Sequence, residues 1–488
     1  MKDHDGPATA FQRGATRDRL VRGFGAGALG QGINAASRLV LTPMYLHAWG
    51  APAYGEWLLL TSLVAYLSLT DIGSQIYIVN QLTKAAVRKN AGLYRKILNT
   101  GLALFLAFPA AVVVMSIMFA VLVPPQAYLD ISETSRTVAA WVLLLLGMQV
   151  AISLPLGLLL GVYRSVGMLA RGVMWANATA GLQLVLTAVA LWMGAGMIII
   201  AVLQLVPYVL VSALVQGELR RLLKAEEMIS VKHADLKLGI SFIRPSLHFF
   251  SIQLSQSLAS QGTVLMVGAL LGSVQVVVFS ILRTVANVGK QLLGLIANTA
   301  WPELTRLDTE REYRKLSHLF RVTLRSSLVG SAIFTIVFHY FGGEVIHLWL
   351  GGTITYDQTL MTLFLFYMLQ SVFWTVCGNL LMAVDRHHTY SRALMGSSVS
   401  TVALAWIGGY QFGLLGVVVG VLVADLALPF WLVPYLLGRQ WRDFDAGFFA
   451  VELVPIAAAT AAAMVTGWLA VVAVFAMCLW WFFGLRAR

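Results

Sequence analysis

Residues 276–298 read VVVFSILRTVANVGKQLLGLIAN, and this apolar stretch contains only two charged side chains, Arg283 and Lys290. An α-helix rises about 1.5 Å per residue, so a stretch of this length crosses the roughly 30 Å hydrocarbon layer of a bilayer. Polar or small residues recur at every third or fourth position, which places them on one helical face: Arg283, Asn287, Lys290, Gly294 and Asn298. We therefore predict a membrane-spanning helix with one polar side.

Comparable apolar stretches fill most of the chain. Its 488 residues are 59% hydrophobic and 11% charged, with a mean hydropathy of +0.79, whereas soluble proteins carry about 25% charged residues. A pair of short helices is expected within the tail 452–485, divided at Gly467-Trp468. The other spans are predicted at 23–46, 54–80, 97–123, 138–162, 173–193, 197–217, 239–271, 276–302, 322–349, 359–384, 393–410 and 414–437. This pattern predicts an all-α polytopic membrane protein with about 14 transmembrane helices and excludes a soluble enzyme or a secreted disulfide scaffold.

The net charge of +12 is explained by membrane topology. With the N terminus inside, nearly all Lys and Arg residues outside the spans fall in cytoplasmic segments, and Arg136 is the exception. The positive-inside rule requires such an asymmetry. We expect a multi-pass protein of the bacterial inner membrane with both termini in the cytoplasm. Nucleic acid is not an expected partner.

The chain contains an internal repeat with an offset of about 222 residues. The outer turn at Gly50 recurs at Gly272, and the basic loop from Lys84 to Lys96 recurs from Arg306 to Arg321. Both copies have six spans in the same orientation, which is typical of transporter lobes related by a pseudo-two-fold axis along the membrane normal. The predicted organisation is a tail (1–22), an N-lobe (23–217), a linker (218–238), a C-lobe (239–437) and a loop with a C-terminal helix pair (438–488).

Charged residues within spans are the candidate functional residues, because a cation at mid-bilayer costs on the order of 3 kcal/mol unless it faces water or a partner. In the first span Gln31, Asn34 and Arg38 lie on one face with Thr42 and Tyr45. Arg38 and Arg283 are each about 10–12 Å below the outer surface. We predict that these two cations, with Lys290, Asn34, Asn287 and Gln31, bind an anionic substrate in a central cavity.

The alternative is that the intramembrane cations form internal ion pairs. Asp71 and Asp425 are the carboxylates expected within spans, and either one is a candidate partner or a site for a coupling proton or sodium ion. Arg244 and Arg325 lie near cytoplasmic ends, where a long side chain reaches water.

No metal site is predicted, because Cys377 and Cys478 are far apart and His387-His388 has no third ligand at metal spacing. No dinucleotide cofactor is predicted, because the GxGxxG spelling at Gly25–Gly30 opens a membrane helix rather than a βαβ unit.

Several segments resemble the polysaccharide transporters, a family that includes O-antigen flippases and belongs to the multidrug, oligosaccharidyl-lipid and polysaccharide exporters. They are the turn Trp49-Gly50-Ala51-Pro52-Ala53-Tyr54-Gly55, the step Asp71-Ile72-Gly73 before a basic loop, and Leu271-Gly272 before a long helix that ends in Trp301-Pro302-Glu303-Leu304. The resemblance covers about residues 20–440. It implies two six-helix lobes around a central cavity with alternating access. The implied substrate is a polyprenyl-pyrophosphate-linked oligosaccharide, with membrane lipids and other polysaccharide-assembly membrane proteins as partners.

Two relatives of this resemblance remain alternatives. Lipid-II flippases also have fourteen helices and cavity arginines, which Arg38 and Arg283 match. Drug exporters usually carry an acid in the first helix, where this chain has Arg38. Relatives in the larger group often have an Asp near the position of Gln261, so no ion-coupling role is expected at that residue. A membrane glycan polymerase or ligase would need a large outer loop, and the longest one expected is near 124–137, so the chain is not expected to be an enzyme.

Overall fold

The computed structural model describes residues 16–71, 73–122, 131–222, 234–383, 388–441 and 443–467. Within these ranges the regular structure is helical, as expected for a chain whose backbone amides must be satisfied internally in lipid. The helices are α1 (Thr16–Leu67), α2 (Ser74–Val87), α3 (Ala91–Leu122), α4 (Arg136–Ser165), α5 (Leu169–Trp192), α6 (Met197–Leu222), α7 (Leu236–Ser257), α8 (Thr263–Leu271), α9 (Ser273–Thr309), α10 (Tyr313–Leu350), α11 (Gln358–Ala383), α12 (His388–Ala427), α13 (Pro429–Gly438) and α14 (Ala446–Thr466).

The described chain contains 11 stretches that are long and apolar enough to cross a membrane, which confirms the predicted fold class. Two of them, of 66 and 47 residues, each hold two predicted spans. Each is interrupted by a glycine with non-helical backbone angles, Gly50 (φ 74°) in the first and Gly413 (φ 63°) in the second. Thirteen of the predicted spans are thus accounted for. The fourteenth follows Gly467 and lies outside the described residues.

Two predicted spans are not continuous α-helices. The second is broken by a 3₁₀ turn at Ser68–Asp71 and by Gly73, which has a φ of 67°. A Cβ on Gly73 would lie 2.7 Å from the backbone nitrogen of Phe250 in α7, so only glycine fits this break. The seventh contains a π-helical segment, Leu258–Gly262, between α7 and α8. Neither break was predicted.

The two predicted basic loops are short turns between long helices. Lys89 (φ 53°) and Arg311 (φ 59°) both adopt the left-handed conformation one or two residues after a helix ends. In both turns the next residue donates its N–H to a carbonyl five residues back, from Asn90 to Ala85 and from Glu312 to Leu307. The repeat inferred from sequence is therefore reproduced in the local backbone.

The helices form two compact units, of which the first comprises the described residues up to Ser257 together with Gly272–Val276. In it α3 packs on α4, α1 on α5, α4 on α6, and α2 on α7. Hydrogen bonds between buried side chains join these helices, as between the hydroxyls of Tyr94 and Ser165 at 2.8 Å.

A buried carboxylate in the first unit fastens the segment before α4 to α1. Glu56 of α1 is fully buried, and its Oε1 accepts the backbone N–H groups of Ser132 and Glu133, both at 2.7 Å. Its Oε2 accepts the N–H of Thr134 at 2.7 Å. The segment that leads into α4 is therefore fastened to α1 by three charge-assisted hydrogen bonds.

The second unit comprises Leu258–Leu271 and the described residues from Val277 onward. Here α10 packs on α11 and α14, while α12 packs on α8, α11 and α13. Arg325 of α10 forms a bidentate ion pair with the buried Glu452 of α14, with nitrogen–oxygen distances of 2.5 and 2.8 Å. Arg325, which the sequence places near a cytoplasmic end, therefore has a structural role as the partner of Glu452, and 14% of its side chain is exposed.

Candidate functional site

The polar face of α1 is exposed where the helix lies within its predicted span. Gln31, Asn34 and Arg38 are exposed, whereas Thr42 and Tyr45 on the same face are buried. Thr42 donates its hydroxyl to the carbonyl oxygen of Arg38 at 2.7 Å. Among the described residues, no acid forms an ion pair with Arg38; the ion pairs there involve other residues. A guanidinium at this depth cannot face hydrocarbon without a large penalty, so its position requires an aqueous or anionic partner.

The base of this polar face packs closely on α5. Asn177 donates its side-chain amide to the carbonyl oxygen of Ala26 at 2.7 Å. A Cβ on Gly30 would lie 2.5 Å from the Asn177 side-chain oxygen. The GxGxxG spelling thus includes a close helix–helix contact, in agreement with the packing interpretation of these small residues.

The polar face of α9 belongs to the second unit. Arg283, Asn287 and Lys290 are half-buried, while Ala286 and Leu293 on the neighbouring face are buried. The polar face of this helix is therefore more exposed than the apolar face beside it, as the spacing predicts.

Arg283 contacts the π-helical segment of the seventh span. Its Nη1 donates to the carbonyl oxygen of Ser260 at 2.5 Å and to the hydroxyl of Thr263 at 3.4 Å. Its guanidinium carbon also lies 5.2 Å from the ring centroid of Phe279. A π-helical turn changes the regular backbone pairing and is frequent at functional sites. Arg283 is thus in contact with the irregular, polar part of the seventh span.

Asp425 lies in a buried polar cluster of the second unit. Both of its carboxylate oxygens accept the indole N–H of Trp374, each at 3.0 Å. Lys290 is the cation that interacts electrostatically with this carboxylate. The Lys290 ammonium lies 4.9 Å from the ring centroid of Tyr367 on α11. Sequence reasoning identified Lys290 and Asp425 but missed the two aromatic residues, whose positions within an apolar span carry no distinguishing signal.

Asp71 occupies a different kind of site. Its side-chain oxygen accepts the backbone N–H of Gly73 at 2.7 Å, and its carbonyl oxygen accepts the hydroxyl of Ser74 at 2.6 Å. The carboxylate therefore caps the break in the second span. No ion pair is seen for Asp71 among the described residues.

The structure thus groups the predicted residues within each unit. Gln31, Asn34 and Arg38 share a face of α1 in the first unit, and Arg283, Asn287 and Lys290 share a face of α9 in the second. Convergence of the two sets on one substrate stays a prediction. Within the described ranges no group of three metal-ligating side chains occurs.

An apolar cavity of about 860 Å³ lies in the second unit between α13 and α14. Phe373, Phe430 and Phe449 contribute to its wall, and Arg439 and Asp445 are its charged lining residues. It contains none of the predicted substrate-binding residues, and its lining suits hydrocarbon rather than a polar group.

Comparisons with known proteins establish the fold. The chain matches no protein-family model, and no curated protein matches it significantly. Among solved structures it is similar to the lipid II flippase MurJ in an inward closed conformation, with a TM-score of 0.69 and 14% identity over 97% of this chain and 100% of that one. It is also similar to an inward-facing multidrug resistance MATE transporter of the MOP superfamily, with a TM-score of 0.65 and 16% identity over 86% and 97% of the two chains. A third similar structure is a MOP superfamily transporter from Pyrococcus furiosus described by the reverse polarity of its binding pocket, with a TM-score of 0.60 and 15% identity over 93% and 100%. The chain therefore has the fold of these transporters.

Proposed function

We propose that this chain is a membrane flippase that moves a polyprenyl-pyrophosphate-linked oligosaccharide, an O-antigen or exopolysaccharide repeat unit, from the inner to the outer leaflet by alternating access. The observation that carries the proposal is the exposed polar face of α1 within a membrane span, where Arg38 has no acidic partner among the described residues. Such a face serves a polar, anionic cargo and is costly in any other setting.

The chemistry of the cargo fits the polar groups of both units. A pyrophosphate that leaves water must be met by positive charge, since an unpaired ion in a low-dielectric medium costs far more than a transporter can supply. Arginine holds phosphate oxygens in a bidentate fork, whereas lysine acts as a point charge. Arg38, Arg283 and Lys290 supply the cations, and Gln31, Asn34 and Asn287 supply hydrogen bonds for sugar hydroxyls.

The sign of the intramembrane charge argues against the drug exporter and leaves the lipid-II-type flippase as the alternative. An exporter of cationic drugs needs negative charge on its cavity surface, and α1 carries Arg38 in its first half. A lipid-II-type flippase remains the second candidate, because the similar MurJ structure is a lipid II flippase and its cargo is also lipid-linked. The assay below distinguishes the two by supplying each lipid-linked glycan separately.

The test is glycan export in a host that lacks its own copy of the transporter and is supplied with one lipid-linked glycan at a time, either the oligosaccharide or lipid II. We expect Arg38→Ala to abolish surface glycan while the protein level in the membrane is unchanged. Arg22→Ala, on the same helix outside the span, is the matched control and should export normally. Wild-type export by Arg38→Ala would overturn the proposal.

Arg283 requires a more detailed series because it also donates to the Ser260 carbonyl. We expect Arg283→Ala to abolish export, Arg283→Lys to recover part of it, and Lys290→Ala to be milder. If the cations instead form structural ion pairs, a double variant with Asp71→Asn or Asp425→Asn should restore export. Restoration in any double would contradict substrate binding.

A further inference from the structure

A second polar site lies at the basic end of α5 and α6, away from the residues discussed above. A cavity of about 540 Å³ opens there in the first unit, lined on the α5 side by Arg171 and Trp175 and on the α6 side by Gly217, Glu218 and Arg221. The charge asymmetry of the sequence assigns this end to the cytoplasmic face of the membrane. The cavity is thus expected at the level of lipid head groups.

The side chains of this cavity are held in a defined arrangement. Glu218 forms an ion pair with the Nε of Arg171 and accepts the indole N–H of Trp175 at 2.8 Å. The Glu218 side chain is only 15% exposed, whereas that of Arg171 is 55% exposed. The carboxylate therefore pairs with an accessible guanidinium and accepts one hydrogen bond, from the Trp175 indole.

The cavity carries an excess of positive charge. The single carboxylate of Glu218 is balanced by Arg171, and Arg221 adds a second guanidinium. Across the described part of the chain, no acid forms an ion pair with Arg221. Two arginines around one carboxylate leave a net charge of about +1, which favours an anion at this site.

An apolar strip leads from the cavity along α6 toward the other end of the helix. Exposed side chains follow helical spacing along it: Ile199, Val202, Val206, Leu210 and Leu214. The strip ends at Gly217, whose missing side chain leaves open space beside Arg221. A phosphate site next to an exposed apolar strip is complementary to a phospholipid. The head group would lie near the arginines and one acyl chain along the helix.

We propose that this cavity binds an anionic phospholipid of the cytoplasmic leaflet through its phosphate. Arg171 and Arg221 hold the phosphate oxygens, Trp175 lies at the interface level, and the α6 strip contacts an acyl chain. The proposal is independent of the cargo and of the residues on α1 and α9, so it stands or falls separately from the transport function.

The test uses the purified full-length protein and native mass spectrometry of lipid adducts. Phosphatidylglycerol is titrated against phosphatidylcholine with the same acyl chains. We expect a preference for phosphatidylglycerol that Arg221→Gln weakens about fivefold, since it removes one direct charged contact with the phosphate, worth about 1 kcal/mol. Arg220→Gln is the matched control, because it removes the same charge from the next residue outside the cavity, and it should change the affinity less than twofold.

Further arms separate lipid from simple anion binding. The double variant Arg171→Gln with Glu218→Gln removes the ion pair without leaving an isolated charge, and it should fold and lose the preference for phosphatidylglycerol. Inorganic phosphate and glycerol 3-phosphate should not displace the lipid at equal concentration. Equal losses for Arg220→Gln and Arg221→Gln, equal affinity for both lipids, or displacement by inorganic phosphate would each overturn the proposal.

Discussion

Individual buried charges in this protein are each met by a different kind of partner. Glu56 is satisfied by three backbone amides, Glu452 by arginine, and Asp425 by the Trp374 indole with Lys290 nearby. A buried carboxylate is tolerated only when its oxygens are satisfied in this way. The partner indicates the role of each carboxylate. The backbone amides bound by Glu56 hold the segment before α4, and the Arg325 guanidinium bound by Glu452 holds α14 against α10.

Replacement of Glu56 by Gln should destabilise the protein. The amide keeps an oxygen acceptor but places an N–H₂ group against one or more backbone donors and removes the charge that strengthens all three hydrogen bonds. We expect a loss of about 2–3 kcal/mol, seen as a lower midpoint of thermal unfolding in detergent. Glu133→Gln, whose exposed side chain is in the segment that Glu56 holds, is the control and should leave the midpoint unchanged. Equal midpoints for both variants would contradict the anchoring role.

We expect Asp235, at the start of α7, to make a pH-dependent contribution to the stability of the folded protein. The hydrogen bond from Lys96, at 2.7 Å, and that from the Leu238 N–H hold the pKa of this carboxyl below its ordinary value. Its stabilising effect is therefore present above the unfolded value of about 4 and is lost as the pH falls through the lower, folded value. Asp235→Asn retains an acceptor for the helix cap and removes the ion pair, so wild type should be the more stable protein at neutral pH. The two unfolding midpoints should converge as the pH falls through the lowered pKa, and a difference that is the same in acid as at neutral pH would contradict this linkage.

At the scale of helices, α14 is joined to α10 by one buried ion pair and by aromatic packing. Glu452 is buried and contacts Arg325 in a bidentate manner, and Arg321 of α10 lies 3.7 Å from the same carboxylate. The rings of Phe320 in α10 and Phe448 in α14 stack with centroids 6.4 Å apart. The helix begins at Asp445, whose side chain accepts the N–H of Phe448 at 2.7 Å. Glu452 thus gives the otherwise apolar α14 a specific charged contact with α10.

Replacing one member of this ion pair should destabilise the protein more than replacing both members. Glu452→Met leaves the Arg325 guanidinium buried without this carboxylate, and we expect a loss of about 3–5 kcal/mol, whereas the double variant with Arg325→Met should recover most of it. The measurement is a double-mutant cycle of thermal unfolding in detergent. Arg306→Met, which removes an exposed pair with Glu303, is the control and should change the midpoint little. A double variant as unstable as the single one would show that the charge itself is needed.

The sequence predicted the turns between membrane spans better than the interruptions within a span. Gly50 and Gly413 were expected at turns because they follow apolar runs of spanning length, and both are non-helical. The break at Gly73 depends on the backbone of α7 at Phe250, a contact that no local pattern reports. Glu56 was missed for a similar reason, since its partners are backbone amides about 76 residues away, which carry no sequence signal.

At the scale of the whole molecule, the proposed transport requires an energy source. The cation rows on α1 and α9 were predictable because charge in an apolar span is rare, but the aromatic partners of Lys290 and Asp425 were not, because tryptophan and tyrosine in such spans are ordinary. The Asp425 carboxylate interacts with the Trp374 indole, Lys290, Gln370 and Ser371, and within the described residues it forms no bidentate ion pair that protonation or sodium binding would have to break. We therefore propose Asp425 as the residue that couples transport to an ion gradient.

We expect Asp425→Asn to impair glycan export at an unchanged protein level. Wild-type export should fall when the proton or sodium gradient is collapsed by an ionophore, and export by the variant should be low and insensitive to that treatment. Glu344→Gln, an exposed acid in the same unit, is the control. Normal and gradient-sensitive export by Asp425→Asn would exclude a coupling role.

The left-handed turns at Lys89 and Arg311 have a consequence for biogenesis. A non-glycine residue in this conformation costs about 1–2 kcal/mol, and glycine would relieve much of it. Yet both turns keep a basic side chain at the strained position, where the translocation machinery reads it before the helices have packed. Lys89→Gly should therefore make the folded protein more stable and at the same time raise the fraction of chains inserted in the wrong orientation, as measured with a reporter fused after Arg95. On this prediction, the basic residues at the two turns favour correct insertion at the expense of the stability of the folded protein.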